Sequence, residues 1–411
     1  MAAITAVSCN NSGVYTVRVC GEGAGFYPDS SRVLVFAQGA DIRFDEPVAS
    51  AYLDKGRFDL SFRDSSVKVY ELVFEKDLAD NSFDFFNFFS DRTPVQFSFS
   101  HKYDRLRAKV KGSRDNEEIY LFRQKYDDTY DLTDSLYYEL TQKLTARYGE
   151  QGYPEEGSAE FAEMVSAFDS ISALRDKITE ESGFLEWKED RIRNHKSLAG
   201  LLQVFAKIQH SVSGINAGIL ESIEPSLLEL YAEYRGIYPD NLLVSEIDKI
   251  ISSVERLRSG SPYADFSAPS LDGKRYRLSE LIEGKIAVLD CWASWCAPCR
   301  KHSRDLIPVY EAYKDRGFTV VGVAREYRSL DDMKQAVETE GYPWIQLYDL
   351  DAAEGIWDLY GLSTAGGGIF LIGKDGRIVD KIDDVSVIKE YLEEYLGKQT
   401  APTSSANSLN R

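Results

Sequence analysis

The chain has 411 residues, a formal net charge of -19 and 43% hydrophobic residues, which suits two or three globular domains better than one core. The excess of 67 acidic over 48 basic side chains argues against nucleic acid or an anionic membrane surface as electrostatic partners, because both need Lys and Arg to neutralise phosphates. No apolar run reaches the roughly 18 residues of a membrane-spanning helix.

The first eleven residues end in Ala6-Val7-Ser8-Cys9-Asn10-Asn11, which resembles a bacterial lipobox with Cys9 as the residue to be lipidated. The stretch has no positive n-region and is shorter than an ordinary apolar signal core. An exposed thiol therefore stays open as the other reading of Cys9. The expectation for 1–11 is a lipoprotein signal remnant, with a lipid anchor as its consequence.

Residues 12–114 read as β-rich. Short, partly alternating runs at Val14–Val19, Arg32–Ala37, Arg57–Phe62, Val67–Phe74 and Val95–Phe99 are punctuated by Gly, Asp, Ser and Pro, a pattern that predicts a small sandwich or barrel. Ala51 to Leu60, with Val110-Lys111-Gly112-Ser113, is similar to the β-domain of unknown function that precedes thioredoxin-like domains in Bacteroidota envelope proteins. Gly21-Glu22-Gly23-Ala24-Gly25 reads as a turn, because Phe26 stands where a dinucleotide loop has its third glycine. Phe83, Phe85, Phe86, Phe88 and Phe89 read as packing, with a partner patch as the alternative. Cys20 reads as a small buried hydrophobe.

From 115 to 260 the period turns helical. Leu198, Leu201, Leu202, Phe205 and Ile208 form one apolar stripe, and Leu243, Ile247, Ile250, Ile251, Val254 and Leu257 form another. Breaks are predicted at Gly152-Tyr153-Pro154, Glu224-Pro225 and Tyr238-Pro239-Asp240. The charged run Glu186 to Lys196 reads as a solvated face. A compact linker, Ser259-Gly260-Ser261-Pro262, leads into residues 261–397, and 398–411 reads as a disordered tail.

The chemistry concentrates in Ile286 to Arg300, where an apolar strand runs into Cys296-Ala297-Pro298-Cys299. A helix starting within this turn puts Cys296 at a helix N-terminus, where free N–H groups and the dipole favour a thiolate. Cys299, one turn on, can then attack a mixed disulfide formed at Cys296. Asp290, within the apolar strand, is expected to be desolvated with a raised pKa. Cys291 reads as buried packing. The scattered histidines His101, His195, His210 and His302 make no metal site, and no cofactor is expected beyond the redox-active Cys296-Cys299 pair.

Trp292-Ala293-Ser294-Trp295-Cys296-Ala297-Pro298-Cys299-Arg300 resembles the active site of thioredoxin-like proteins, within the TlpA/ResA-like thiol-disulfide oxidoreductases. Ala264-Asp265-Phe266, Leu271-Asp272-Gly273-Lys274, Gly317 to Val323 and Phe370 to Gly376 support the resemblance. It implies a C-terminal α/β thioredoxin-like domain, so the fold class is multidomain α+β: an N-terminal β-sandwich or barrel-like domain, a helical middle region and this last domain. It further implies that Asp290 is the buried acid assisting deprotonation of Cys299, that protein disulfides are the substrate, and that a membrane-bound electron donor facing the periplasm restores the dithiol. Location is then the periplasm or cell envelope.

Two departures stand out. The family's cis-proline loop reads here Tyr360 to Phe370 without proline. Alignment from either side places Gly367 or Gly366 at the proline position, and a trans, flexible loop follows. Trp295, Pro298, Ala365, Gly366 and Gly367 are the resulting candidates for contacting substrate. On the helix after the motif, His302 and Arg304 replace the usual Glu and Pro, and His302 is expected to face solvent. Two rival functions remain: a binding or scaffold protein with a weak redox site, and a thiol peroxidase. The peroxidase signature Pro-x-x-x-Thr/Ser-x-x-Cys fails at Cys291, Cys296 and Cys299.

Overall fold

The computed structural model describes residues 13–42, 44–79, 84–103, 105–149, 153–213, 223–362, 367–382 and 384–397. Cys9, Phe83 and the tail beyond 397 lie outside them. Two compact units emerge, Met1–Val204 with Leu230–Val244, and Phe205–Glu229 with Ser245–Arg411.

The first unit contains β1 (Tyr15–Glu22), β2 (Arg32–Ala37), β3 (Ala49–Tyr52), β4 (Phe58–Asp64), β5 (Val69–Phe74), the short α1 (Glu75–Ala79), β6 (Phe86–Phe89), β7 (Val95–Lys102) and β8 (Arg105–Lys111). They form two four-stranded sheets, β4-β1-β7-β8 and β3-β2-β5-β6. In β7, Val95, Phe97 and Phe99 are buried while Gln96, Ser98 and Ser100 are exposed, so the strand's period of two sends both phenylalanines inward. There they meet β6 edge to face: Phe86 lies 6.4 Å from Phe97 and 5.2 Å from Phe99, and Phe88 lies 6.1 Å from Phe97, measured between ring centroids. The described part of the phenylalanine run is thus sandwich core, with Phe85 half-buried at its edge. Strands β3, β6 and β8 carry no clear alternating signal. β6 is too uniformly aromatic, and β8 buries only Leu106. β1 continues through Gly21, and the turn comes at Gly23, whose φ of +86° would strain any other residue and whose Cβ would stand 2.4 Å from the Phe99 carbonyl oxygen.

The helices that follow are α2 (Arg114–Tyr148), α3 (Ala159–Glu181), α4 (Phe184–His195), α5 (Leu198–Ser213), α6 (Pro225–Ile237) and α7 (Leu242–Leu257). Ser113 caps α2 by accepting the Asn116 N–H, and Ser158 caps α3 by accepting that of Phe161. Pro225 opens α6, where its missing N–H costs nothing. The apolar stripes bury Leu201, Leu202 and Ile208 on α5 and Leu243, Ile247 and Leu257 on α7. No helix among the described residues is long and apolar enough to cross a membrane.

The second unit adds β9 (Ser267–Pro269), β10 (Arg275–Arg277), α8 (Leu278–Ile282), β11 (Ile286–Trp292), α9 (Ala297–Tyr313), β12 (Phe318–Glu326), α10 (Asp331–Glu340), β13 (Ile345–Leu350), α11 (Ile356–Leu359), β14 (Gly368–Ile372), β15 (Ile378–Ile382) and α12 (Val385–Leu396). Its sheet runs β13-β12-β11-β14-β15. β11 to β13 are parallel, while β14 and β15 are antiparallel to their neighbours. β11 lies at the centre with all seven residues buried, which is why it reads as a continuous apolar run. Its alternation feeds two cores. Ala287, Leu289 and Cys291 join Phe266, Trp357 and Phe370 on one face, while Ile286, Val288 and Trp292 join Leu306, Tyr313 and Leu392 on the other. The architecture is the α+β class expected: a β-sandwich, a helical middle and a C-terminal α/β thioredoxin-like domain.

Candidate active site

The site forms where β11 ends and α9 begins. Cys296 is the N-cap of α9, with φ -92° and ψ 92°, and its Sγ accepts the Cys299 N–H at 3.3 Å. Sulfur therefore occupies the place of a capping oxygen, over unpaired N–H groups and the positive end of the helix dipole, both of which favour a thiolate. Pro298 tolerates the first turn because its absent N–H has no helical partner there. Cys296 and Cys299 are joined by a disulfide with their Cα atoms 5.3 Å apart, and both are partly exposed. Trp295 is half-buried beside them, and Pro298 is exposed.

Asp290 sits two residues after Val288 and two before Trp292, so the strand's alternation turns it to the α9 face. It is 1% exposed, and its Oδ2 accepts a hydrogen bond from the Ser303 hydroxyl at 2.6 Å. Burial pushes its carboxyl up to about 7, with the Ser303 hydrogen bond opposing the rise. Cys291 points to the opposite core, and burial, reinforced by the nearby Asp290 charge, drives its thiol well up. That makes it an inert neighbour.

Two side chains that sequence reasoning passed over brace the motif. Glu326, at the end of β12 and 3% exposed, accepts the Ser294 N–H at Oε1 (2.8 Å) and the Ser294 hydroxyl at Oε2 (2.7 Å). Burial raises its carboxyl, and the two Ser294 bonds pull it back. Ser303, fully buried on α9, is the other. A signal for each existed in the sequence. Ser303 stands four residues after Cys299, hence on the same helix face, and Glu326 is a carboxylate closing an apolar run.

Trp292 is part of the core. It is completely buried, its Nε1 donates to Gln346 Oε1 at 3.0 Å, and its ring meets Tyr342 edge-on at 5.3 Å. His302 is half-buried rather than freely exposed. Arg304 pairs with Glu340 at 2.9 Å, and Arg300 joins the same carboxylate through Nε at 3.0 Å, tying α9 to the end of α10. Ala365 and Gly366 lie outside the described residues. Gly367 is described, and a Cβ placed on it would stand 1.9 Å from the Cys291 carbonyl oxygen. Proline cannot occupy that position without moving the backbone. No cis peptide bond occurs among the described residues.

Residues 259–381 match the family model described as the AhpC/TSA family. The chain is 31% identical over 158 residues to the thiol-disulfide oxidoreductase ResA of Bacillus cereus, covering 36% of this chain and 83% of that protein. It is 27% identical over 149 residues to ResA of Bacillus subtilis, covering 36% of this chain and 79% of that one. Among solved structures, the thioredoxin domain of a thiol-disulfide oxidoreductase from Bacteroides vulgatus is 29% identical, with 33% of this chain and 98% of that chain covered and a TM-score of 0.30. A thiol:disulfide interchange protein from a Bacteroides species is 27% identical over 36% of this chain and 97% of that one, with a TM-score of 0.32.

Proposed function

We propose that this chain, which belongs to the ResA-like thiol-disulfide oxidoreductases, works as a reductase of protein disulfides in the cell envelope. The observation that carries the reading is the seat of Cys296 Sγ at the N-cap of α9, accepting the Cys299 N–H. In the reduced protein, Cys296 thiolate attacks one sulfur of a substrate disulfide. A Cys296–substrate bond forms, and the other substrate sulfur leaves as a thiolate that takes a proton from solvent. Cys299 then loses its proton, with Asp290, hydrogen-bonded to Ser303 of the same helix, as the proposed acceptor. Its thiolate attacks Cys296 Sγ, the Cys296–Cys299 bond forms as the Cys296–substrate bond breaks, and the second substrate sulfur leaves as a thiolate that takes a proton from solvent. Two electrons have passed to the substrate, so a dithiol or equivalent donor must return them. The class of donor proposed is membrane-bound, and the lipobox-like Ala6 to Cys9 supports an anchor beside it. Trp295 and Pro298, which stand beside the two cysteines in the chain, and Gly367, against the end of β11, are the proposed substrate contacts.

Insulin disulfide reduction, driven by a chemical dithiol, tests the reading. Cys296→Ser is expected to abolish it, and retention of activity would overturn the assignment. Membership of the AhpC/TSA model favours one second reading, thiol peroxidase. Hydrogen peroxide consumption that depends on Cys296 and outpaces insulin reduction would select it instead.

A further inference from the structure

We propose that Ser303 is a positioning residue of the resolving step, a hydroxyl that switches its hydrogen bond between Asp290 and the first turn of α9 and so couples the buried carboxyl to the helix carrying Cys299. The proposal rests on the dithiol reading given above and extends it to a residue outside the motif.

Ser303 Oγ carries one hydrogen and has two acceptors within reach, Asp290 Oδ2 at 2.6 Å and the Cys299 carbonyl oxygen at 3.1 Å. It cannot serve both fully. With Asp290 ionised, the hydrogen goes to the carboxylate, a charge-assisted bond in a site without water's dielectric. With Asp290 protonated, the carboxyl becomes the donor, Ser303 Oγ accepts, and its own hydrogen is released to the Cys299 carbonyl. One proton on Asp290 thus reverses one hydrogen bond and releases a second without moving a heavy atom.

Ser303 is the only side chain hydrogen-bonded to Asp290 among the described residues, and it is completely buried. Among the described residues no lysine or arginine pairs with the carboxyl, which burial raises and the Ser303 hydrogen bond lowers. The other titratable groups that feel the Asp290 charge are Tyr342, in the connection between α10 and β13, and Cys291, on the far face of β11. Neither carries a charge near neutral pH, because burial raises both. The dithiol itself lies at the start of the same helix, so Ser303 is the polar link between acid and helix.

The test follows the Asp290 carboxyl carbon by NMR titration in the intact protein, alongside the pH profile of the resolving step, read as release of a mixed disulfide from Cys296. Ser303→Ala is expected to move both midpoints upward by about one pH unit, since a hydrogen bond to the ionised form is lost. Ser303→Thr, which keeps the hydroxyl, is expected to restore them. In an Asp290→Asn background, Ser303→Ala is expected to leave the profile unchanged, because no charge remains to be sensed. Unmoved midpoints in Ser303→Ala, or the same effect in the Asp290→Asn background, would overturn the proposal while Cys296-dependent insulin reduction persists. Loss of that Cys296 dependence would instead strike the dithiol reading beneath it.

Discussion

Gly367 passes so close to the end of β11 that a Cβ on it would lie 1.9 Å from the Cys291 carbonyl oxygen and 3.0 Å from the Trp292 Cα. Gly368, the next residue, pairs with Cys291 in the sheet. Gly367 is therefore drawn in against the strand that carries Asp290, and only a residue without a side chain permits it. Gly367→Ala must push backbone from backbone. It is expected to cost about 1–3 kcal/mol, read as a lower urea midpoint for the C-terminal domain. An unchanged midpoint would show that the loop stands off the strand.

Glu326 holds the turn before Cys296 by both atoms of Ser294 that can donate. Glu326→Ala leaves a backbone N–H and a hydroxyl without their acceptors, whereas Glu326→Gln keeps the shape and one acceptor. The expected result is about a tenfold loss of insulin reduction in the alanine variant, with glutamine retaining most of the rate. Equal loss in both variants would assign the effect to charge rather than to bracing.

Asp290 predicts how stability depends on pH. Its folded value of about 7 lies above the ordinary 3.8, so between these limits the native state holds a proton that the unfolded state has lost. Stability should therefore fall as pH rises from about 4 to 7, by on the order of 4 kcal/mol if the full difference is expressed. Asp290→Asn should remove its share of the slope and be the more stable protein at pH 8. Urea unfolding of both oxidised proteins at pH 4 and pH 8 measures this, and parallel pH dependences would contradict it.

The three cysteines of this region should separate by reactivity. After mild reduction, iodoacetamide is expected to alkylate Cys296 first, Cys299 later, and Cys291 only on unfolding, since burial holds that thiol well above its ordinary value. Peptide mass analysis of timed samples reads the order. Early labelling of Cys291 would place it at the surface.

Much of this site was legible in the sequence because its signals are local. An apolar strand, a Cys-x-x-Cys turn and a proline two residues into a helix fix Cys296, Cys299 and Asp290 within ten residues of one another. Period-two alternation even gives the face that Asp290 takes. What brings Ser294 to Glu326 is the parallel pairing of β11 with β12, a contact between residues 32 apart, and no local period reports such a pairing. In the N-terminal sandwich, β8 hid because an edge strand rich in Arg and Lys has almost no buried face to display.

The most direct test of the central claim is to trap the intermediate. Cys299→Ser, reduced and mixed with a protein disulfide, should accumulate a covalent complex through Cys296 that a dithiol releases, while Cys296→Ser under the same conditions should form none. A stable complex formed through Cys299 in the Cys296→Ser variant, with none in Cys299→Ser, would contradict the assignment of Cys296 as the attacking sulfur.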